Sequence, residues 1–174
     1  GVKAGDFTYH IQAYATWARL VDYAAEKGIP YLLLDSGWYG DQFSKKSNPV
    51  SGGAAEEVKR LIAYAKTKGV RVLIYMNDIG GRDYDLEETL KQYHQWGAAG
   101  VKYGFMRGAM ADKNIRTRMI TELCAKYQLL CDFHDGPVAP YGQLRTWPNA
   151  VSREYCQAQL DALTYFQPRT FVTT

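Results

Sequence analysis

Apolar positions along the chain follow two alternating patterns. Amphipathic stripes, in which apolar side chains recur every three or four residues, predict helices. These helices cover 8–27, 54–68, a segment from Asp83 to Trp96, and about 111–127. Between them lie short continuous apolar runs: YLLLD (31–35), VRVLIYM (70–76), GVKYGFM (100–106) and LLCDF (129–133). Runs without polar alternation are typical of parallel strands covered on both faces, so four such strands are predicted.

Capping residues define the ends of these units. Gly28, Gly69 and Gly97 each follow a helical stripe and are predicted to end it. Asp83 is predicted to cap the third helix, with Leu86, Leu90, Tyr93 and Trp96 on its apolar face. The fourth helix is predicted to turn Ile115, Met119 and Leu123 inward.

A fifth unit is predicted at the end of the chain. Ser152 can cap a fifth helix that carries Tyr155, Leu160 and Leu163, and TFVTT at the C-terminus is typical of a further strand.

Helices that alternate with strands predict βαβ units and a parallel sheet. Right-handed connections then place the carboxyl ends of all strands at one edge, where barrels and open sheets carry their sites. A complete eight-unit barrel needs roughly 200–250 residues or more, and this chain has 174. The predicted fold class is therefore α/β, a partial (β/α)8 TIM-barrel-like domain. No linker interrupts it, so residues 1–174 are interpreted as one domain.

Composition narrows the classes of partner. The net charge is only +3 and the basic residues are dispersed, which argues against binding to nucleic acid or to a membrane surface. Three cysteines without CxxC spacing are interpreted as buried thiols. Four or five parallel strands without closure leave open sheet edges. We therefore expect either self-association or further barrel segments on a longer parent chain.

Polar residues follow the predicted strands. The ends carry Asp35 with Trp38, then Asn77 with Asp78, then Gly104, then His134 with Asp135. Such loops favour Asp, Asn and Ser for capping alone, but carboxylates that converge beside aromatic rings suit glycoside chemistry. One acid protonates the leaving oxygen, a second carboxylate activates water or attacks carbon, and aromatic faces stack on sugar rings. No GxGxxG, Walker or HExxH motif offers another chemistry.

Four motifs carry a family resemblance: DSGW, GVKYGF, DFHDG and RTWPN followed by RE. Together, in this order, they resemble the catalytic barrel of glycoside hydrolase family 97, which contains α-glucosidases and α-galactosidases. The resemblance implies an oligo- or disaccharide substrate with α-glycosidic bonds and a periplasmic or secreted location.

The resemblance also implies a mechanism. Retaining members carry a nucleophilic Asp where this chain has Gly104, so an inverting reaction is implied. Asp78 and Asp135 stand at the positions of the carboxylates that activate water. The glutamate that binds calcium in the family matches Glu154, so calcium held by Asp135 and Glu154 is implied.

The family's general acid falls six residues after Glu154, at Leu160, with Asp161 next to it. Either Asp161 or Glu154 is then the acid. The predicted substrate-binding residues are Asp35, Trp38, His134, Arg145 and Trp147, with Arg145 and Trp147 shaping the rim.

Two other functions stay open. Leu160 favours a carbohydrate-binding or catalytically silent barrel. An unrelated α/β enzyme such as an isomerase or aldolase is the third possibility, and a Schiff-base aldolase would need a lysine inside the barrel, for which Lys102 is the candidate.

Overall fold

Five parallel strands form a sheet that curls into half of a barrel, with helices packed on its outside. The computed structural model describes residues 14–134 and 143–154. The elements are α1 (Tyr14–Glu26), β1 (Tyr31–Leu34), α2 (Ala55–Thr67), β2 (Arg71–Asn77), α3 (Asp78–Asp83), α4 (Leu86–Trp96), β3 (Gly100–Gly104), α5 (Met110–Lys126), β4 (Leu130–His134), α6 (Gln143–Thr146) and β5 (Ala150–Glu154). The strand order is β1-β2-β3-β4-β5, and every neighbouring pair is parallel. The predicted partial barrel is confirmed. The single-domain interpretation stays a prediction.

The outer face of the sheet forms the core with the helices. Successive side chains of a strand point to opposite faces, and one set is packed under α1, α2, α4 and α5. These buried strand residues include Val72, Ile74, Val101, Tyr103, Cys131 and Phe133. The alternate set, which includes Tyr75, Lys102 and Asp132, lies on the inner face. The polar residues of the inner face are therefore held by a sheet whose other face is fixed by apolar packing.

The caps of the third predicted helix differ in part from the prediction. Asp85 rather than Asp83 caps α4, accepting a 2.8 Å hydrogen bond from the Glu88 amide. Gly97 ends α4 with φ 84°, in the left-handed region, as predicted. The short α3 was not predicted. It begins directly after β2 because the Asn77 side chain accepts hydrogen bonds from the amides of Ile79 and Gly80.

Two predictions from local pattern are wrong. Residues 150–154 form β5 and not the start of a helix capped by Ser152, because pairing with the edge of β4 satisfies their backbone groups. In α5, Ile115 is 71% exposed and Met119 is 37% exposed, whereas Leu123 is partly buried against the core as predicted. That helix instead buries Thr117, Ile120, Thr121 and Cys124. The proposed helix residues Tyr155 and Leu163 and the TFVTT segment lie outside the described residues.

Two cysteines of the described part, Cys124 and Cys131, are buried free thiols, as predicted for them. No helix within the described ranges is both long and apolar enough to cross a membrane.

Candidate active site

A buried lysine on the central strand joins two carboxylates from the outer strands. The Lys102 ammonium nitrogen lies 2.7 Å from Asp35 Oδ2 and 2.6 Å from Glu154 Oε2. Asp35 directly follows β1 and Glu154 ends β5, whereas Lys102 lies on β3 and is only 4% exposed. The curl of the sheet allows this contact, because in a flat sheet β1 and β5 would each be two strands away from β3. Asp35 and Glu154, both predicted site residues, are thereby brought together.

The two carboxylates keep Lys102 protonated. Burial by itself would lower the pKa of Lys102, but hydrogen bonds from its ammonium to Asp35 and Glu154 outweigh burial and raise the pKa. A Schiff base forms only on a neutral amine, so the position of Lys102 does not support the aldolase alternative.

Asp132 is an inner-face carboxylate that the sequence analysis missed. It lies two residues before His134 on β4, and the alternation of the strand places both on the inner face. Burial raises the pKa of Asp132, while the nearby Lys102 ammonium and a hydrogen bond with Ser152 oppose that rise. Its Oδ1 is buried and has no hydrogen-bond partner among the residues the structure describes. The two-residue spacing between Asp132 and His134 in DFHDG is the sequence signal that could have identified it.

His134, a predicted substrate-binding residue, ends β4 at the mouth of this cluster. Its Nδ1 is 3.9 Å from Glu154 Oε2, and its ring centroid is 6.0 Å from that of Phe105. It therefore lies between the carboxylates and an exposed aromatic side chain.

Asp78 lies on the other side of the sheet. Its side chain is fully buried. It accepts hydrogen bonds from Arg82 Nε at 2.7 Å, the Tyr103 hydroxyl at 2.8 Å and the Arg107 amide at 2.8 Å. Arg116 Nε is 3.4 Å away. These groups belong to α3, β3, the loop after β3, and α5, so Asp78 ties those elements together.

The surroundings of Asp78 do not favour proton exchange with a substrate water. Burial alone would raise the pKa of its carboxyl, but the Arg107 amide and the Arg82 and Tyr103 side chains lower it. Asn77 aligns with Gly104 at the inner face, and its amide nitrogen donates to the Gln42 carbonyl at 2.8 Å. The predicted role of Asp78 as a base therefore has no geometric support.

Trp38 is part of the core. It is 1% exposed, and its indole nitrogen donates to the Tyr75 carbonyl at 2.8 Å. Its ring packs against Tyr39, Tyr93 and Trp96 in edge-to-face contacts. The prediction that Trp38 contacts a sugar is wrong, because neither face of its ring is exposed to a ligand.

Arg145 and Trp147 lie at the opposite edge of the sheet from the predicted rim. Arg145 belongs to α6, and Trp147 lies between α6 and the start of β5. Because β5 is parallel to β4, its start lies at the amino edge, away from His134. The Trp147 ring carries the Arg118 guanidinium 5.1 Å from its centroid, a contact with α5. The placement at the rim is therefore wrong for both residues.

Gly104 ends β3 on the inner face. A Cβ atom built on it would lie 3.1 Å from the Tyr75 hydroxyl oxygen and 3.2 Å from Tyr75 Cε2. This spacing is tighter than ordinary van der Waals contact, so a side chain here requires the Tyr75 ring to move by a few tenths of an ångström.

The described residues do not by themselves form a calcium site. No group of three metal-binding side chains occurs within 14–134 and 143–154. The Lys102 ammonium already occupies the space between Asp35 and Glu154 where a cation would bind. Asp135, Leu160 and Asp161 lie outside the described residues, so their roles, and calcium binding through Asp135, stay predictions.

A parallel half-barrel with a polar cluster at the carboxyl edge of its strands defines a protein of the TIM-barrel class. The model of the family described as Glycoside hydrolase 97 matches residues 4–156. The chain belongs to glycoside hydrolase family 97, as its motifs indicated.

Two curated relatives give the same family. The chain is 33% identical over 138 residues to a probable retaining alpha-galactosidase of Streptomyces bingchenggensis, covering 77% of this chain and 21% of the relative. It is 29% identical over 139 residues to a retaining alpha-galactosidase of Bacteroides thetaiotaomicron, covering 80% of this chain and 20% of that protein. The chain therefore spans about a fifth of the length of these relatives.

Solved structures show the same fold. A crystal structure of a beta-arabinopyranosidase superposes with a TM-score of 0.64 at 23% identity, covering 81% of this chain and 23% of that one. DHDPS from Cyanidioschyzon merolae superposes with a TM-score of 0.54 at 14% identity, covering 85% of this chain and 51% of that one. At these identities the similarity concerns the fold alone.

Proposed function

We propose that the full-length protein hydrolyses α-linked glycosides, with α-galactosides as the first substrates to test. Family membership and the names of the two relatives support this proposal. The observation that carries it is the inner-face cluster in which Lys102 holds Asp35 and Glu154 at the carboxyl edge, with Asp132 and His134 beside them.

The reaction is proposed to invert the anomeric configuration. Gly104 provides no nucleophile at the end of β3, so water attacks the anomeric carbon directly. Asp135, which follows His134, is proposed to accept the proton of that water. Glu154 or Asp161 is proposed to protonate the leaving oxygen. Asp35 and His134 are proposed to bind hydroxyls of the sugar.

A retaining reaction is the second candidate, and two observations favour it. Both curated relatives are named as retaining enzymes. In addition, Asp35 Oδ2 and Glu154 Oε2 share one ammonium nitrogen, so their separation cannot exceed the sum of 2.7 and 2.6 Å. This upper limit is compatible with the ~5–5.5 Å of a retaining pair and excludes the ~6.5–9.5 Å of an inverting pair for these two carboxylates.

The anomer released first distinguishes the two reactions. We expect proton NMR of an aryl α-galactoside digest to show β-galactose before mutarotation. Initial α-galactose would establish the retaining reaction. Absence of turnover on α-galactosides and α-glucosides, together with saturable sugar binding, would establish the carbohydrate-binding alternative.

A further inference from the structure

Three aromatic side chains form an exposed ridge at the mouth of the cluster. Phe43 lies in the loop after β1, Phe105 directly follows β3, and His134 ends β4. The ring centroids of Phe43 and Phe105 are 5.0 Å apart, with the ring planes at 76°. The ring centroids of Phe105 and His134 are 6.0 Å apart. Phe43 is 53% exposed and Phe105 is 41% exposed. We call these three residues the aromatic ridge.

The backbone holds Phe105 in a conformation that its side chain disfavours. Its φ is +48°, in the left-handed region, which β-carbon-bearing residues rarely adopt. Gln128 is the other described non-glycine residue with positive φ, and it ends a helix, where that conformation is common. Strain of this kind is found at ligand-binding positions more often than in ordinary loops. At residue 105 it directs a large apolar side chain toward solvent and not toward the core.

The loop that carries Phe43 is fixed from two sides. The Asn77 amide nitrogen donates to the Gln42 carbonyl at 2.8 Å, and the Tyr84 hydroxyl donates to the Lys45 carbonyl at 3.1 Å. The ridge is therefore a preformed surface, which reduces the entropic cost of binding.

We propose that the aromatic ridge binds the leaving-group sugar of the substrate, with the C–H face of its ring stacked in the corner between Phe43 and Phe105. This inference rests on the proposed function and adds a second sugar position to it. The ridge is continuous with the polar cluster through His134, whose Nδ1 is 3.9 Å from Glu154. A pyranose ring combines an apolar face with a rim of hydroxyls, which matches an aromatic corner bordered by a histidine and a carboxylate.

The order of residues along β3 determines which sugar lies there. Lys102 is deeper in the half-barrel than Phe105, which lies just beyond the strand end. The sugar that reacts is held by the deeper carboxylates. The unit attached to it through the glycosidic oxygen therefore extends outward, toward the aromatic ridge.

A pair of substrates tests this placement in the full-length protein. In Phe105→Ala, kcat/KM for an α-linked disaccharide should fall roughly tenfold, as expected for loss of an aromatic stacking contact. The α-glycosyl fluoride of the same sugar should keep its kcat/KM, because fluoride has no ring to stack. Phe105→Trp should restore the disaccharide rate. Tyr23→Ala removes an exposed aromatic ring from α1 and should leave kcat/KM unchanged for both substrates.

Equal losses on both substrates, or no loss on the disaccharide, would overturn the proposal. A second pair of variants separates the ring from the backbone. Phe105→Gly removes the same ring as Phe105→Ala but accepts positive φ without strain. It should therefore melt at a higher temperature than Phe105→Ala and show the same fall in kcat/KM for the disaccharide. If Phe105→Ala does not fold, Phe105→Gly and Phe43→Ala carry the kinetic test.

Binding can be measured even if no glycoside is hydrolysed. Titration of Phe105→Trp with the disaccharide should change the tryptophan fluorescence saturably, and Phe43→Ala in that background should weaken the response. This result would support the ridge while the hydrolytic function failed. A fluorescence signal that does not respond to the disaccharide would overturn the ridge itself.

Discussion

The Lys102 ammonium and the Glu154 carboxylate lie 2.6 Å apart, although β4 separates their strands. With Asp35 at 2.7 Å on the other side, Lys102 links β1, β3 and β5 across the concave face. The contact has a structural and a chemical consequence. It links the strands across the half-barrel, and it fixes two carboxylates at the proposed active site.

Replacing Lys102 by Met should cost about 2 kcal/mol of the free energy of unfolding. Breaking a fully buried ion pair costs ~3–5 kcal/mol, but Asp35 and Glu154 are partly exposed, so water compensates for part of the loss. Urea unfolding measures the difference. Adding Glu154→Gln to Lys102→Met should recover some of the lost stability, since one of the two facing charges is removed. If Lys102→Met alone were as stable as wild type, Lys102 would not stabilise the sheet by linking its strands.

The stabilising effect of Lys102 should depend on pH. Its pKa is raised in the folded state by Asp35 and Glu154, despite burial. Its contribution is therefore fully present below the unfolded pKa of about 10.4 and is lost as pH rises through the higher folded pKa. Unfolding curves at neutral pH and above pH ~11 should show the gap between wild type and Lys102→Met closing.

Asp78→Asn should act on stability and not on the chemical step. We expect a loss of about 3 kcal/mol, because Arg82 and Arg116 then lack their buried counter-charge. The folded pKa of Asp78 is lowered, so this stability is present above the unfolded value near ~3.9 and is lost as pH falls through the folded pKa. Asp83→Asn, on the same helix and 3.8 Å from Lys45, is a matched control that should change little.

The opposite result would restore Asp78 as a base. In that case Asp78→Asn would unfold like wild type, yet its turnover would fall by roughly 10²–10⁴-fold. Turnover must be compared at a temperature where both proteins are fully folded.

Asp132→Asn should make the protein more stable at neutral pH. Burial raises the folded pKa of Asp132 above its unfolded value. Wild type therefore loses stability as pH rises through that interval, and the amide does not. Thermal melts at pH 7 should favour the variant, whereas melts below pH ~3.9 should not. A variant that is less stable than wild type at pH 7 would show that the Asp132 charge supports the fold.

Gly104→Ala and Gly104→Asp distinguish the steric effect of a side chain at the end of β3 from the chemical effect of a carboxylate there. The added Cβ meets Tyr75 at 3.1–3.2 Å, so Gly104→Ala should cost about 1 kcal/mol, at the low end of overpacking effects. Gly104→Asp adds a carboxylate at the same place. We expect it to shift the first product toward the retained anomer in proton NMR, whereas Gly104→Ala should not alter the product anomer.

Much of the architecture followed from the sequence. The four predicted strands and the glycine ends of α2 and α4 are local signals, because periodicity and left-handed caps act over a few residues. The family also followed from short motifs in a fixed order. The strand pattern placed Asp35 and His134 at strand ends, and the motifs identified Glu154 as a site residue, although its segment was predicted as a helix and forms β5. The structure brings Asp35 and Glu154 onto Lys102.

Only the tertiary structure decided which side of the sheet each polar residue occupies. Asp78 follows a strand just as Asp35 does, yet α3 starts at Asp78 and its side chain lies on the outer face of the sheet. Trp38 was drawn into the core by Tyr93 and Trp96, and Trp147 was placed at the amino edge by the parallel pairing of β5. These outcomes depend on which distant surface offers packing or hydrogen bonds, and a local sequence pattern does not contain that information.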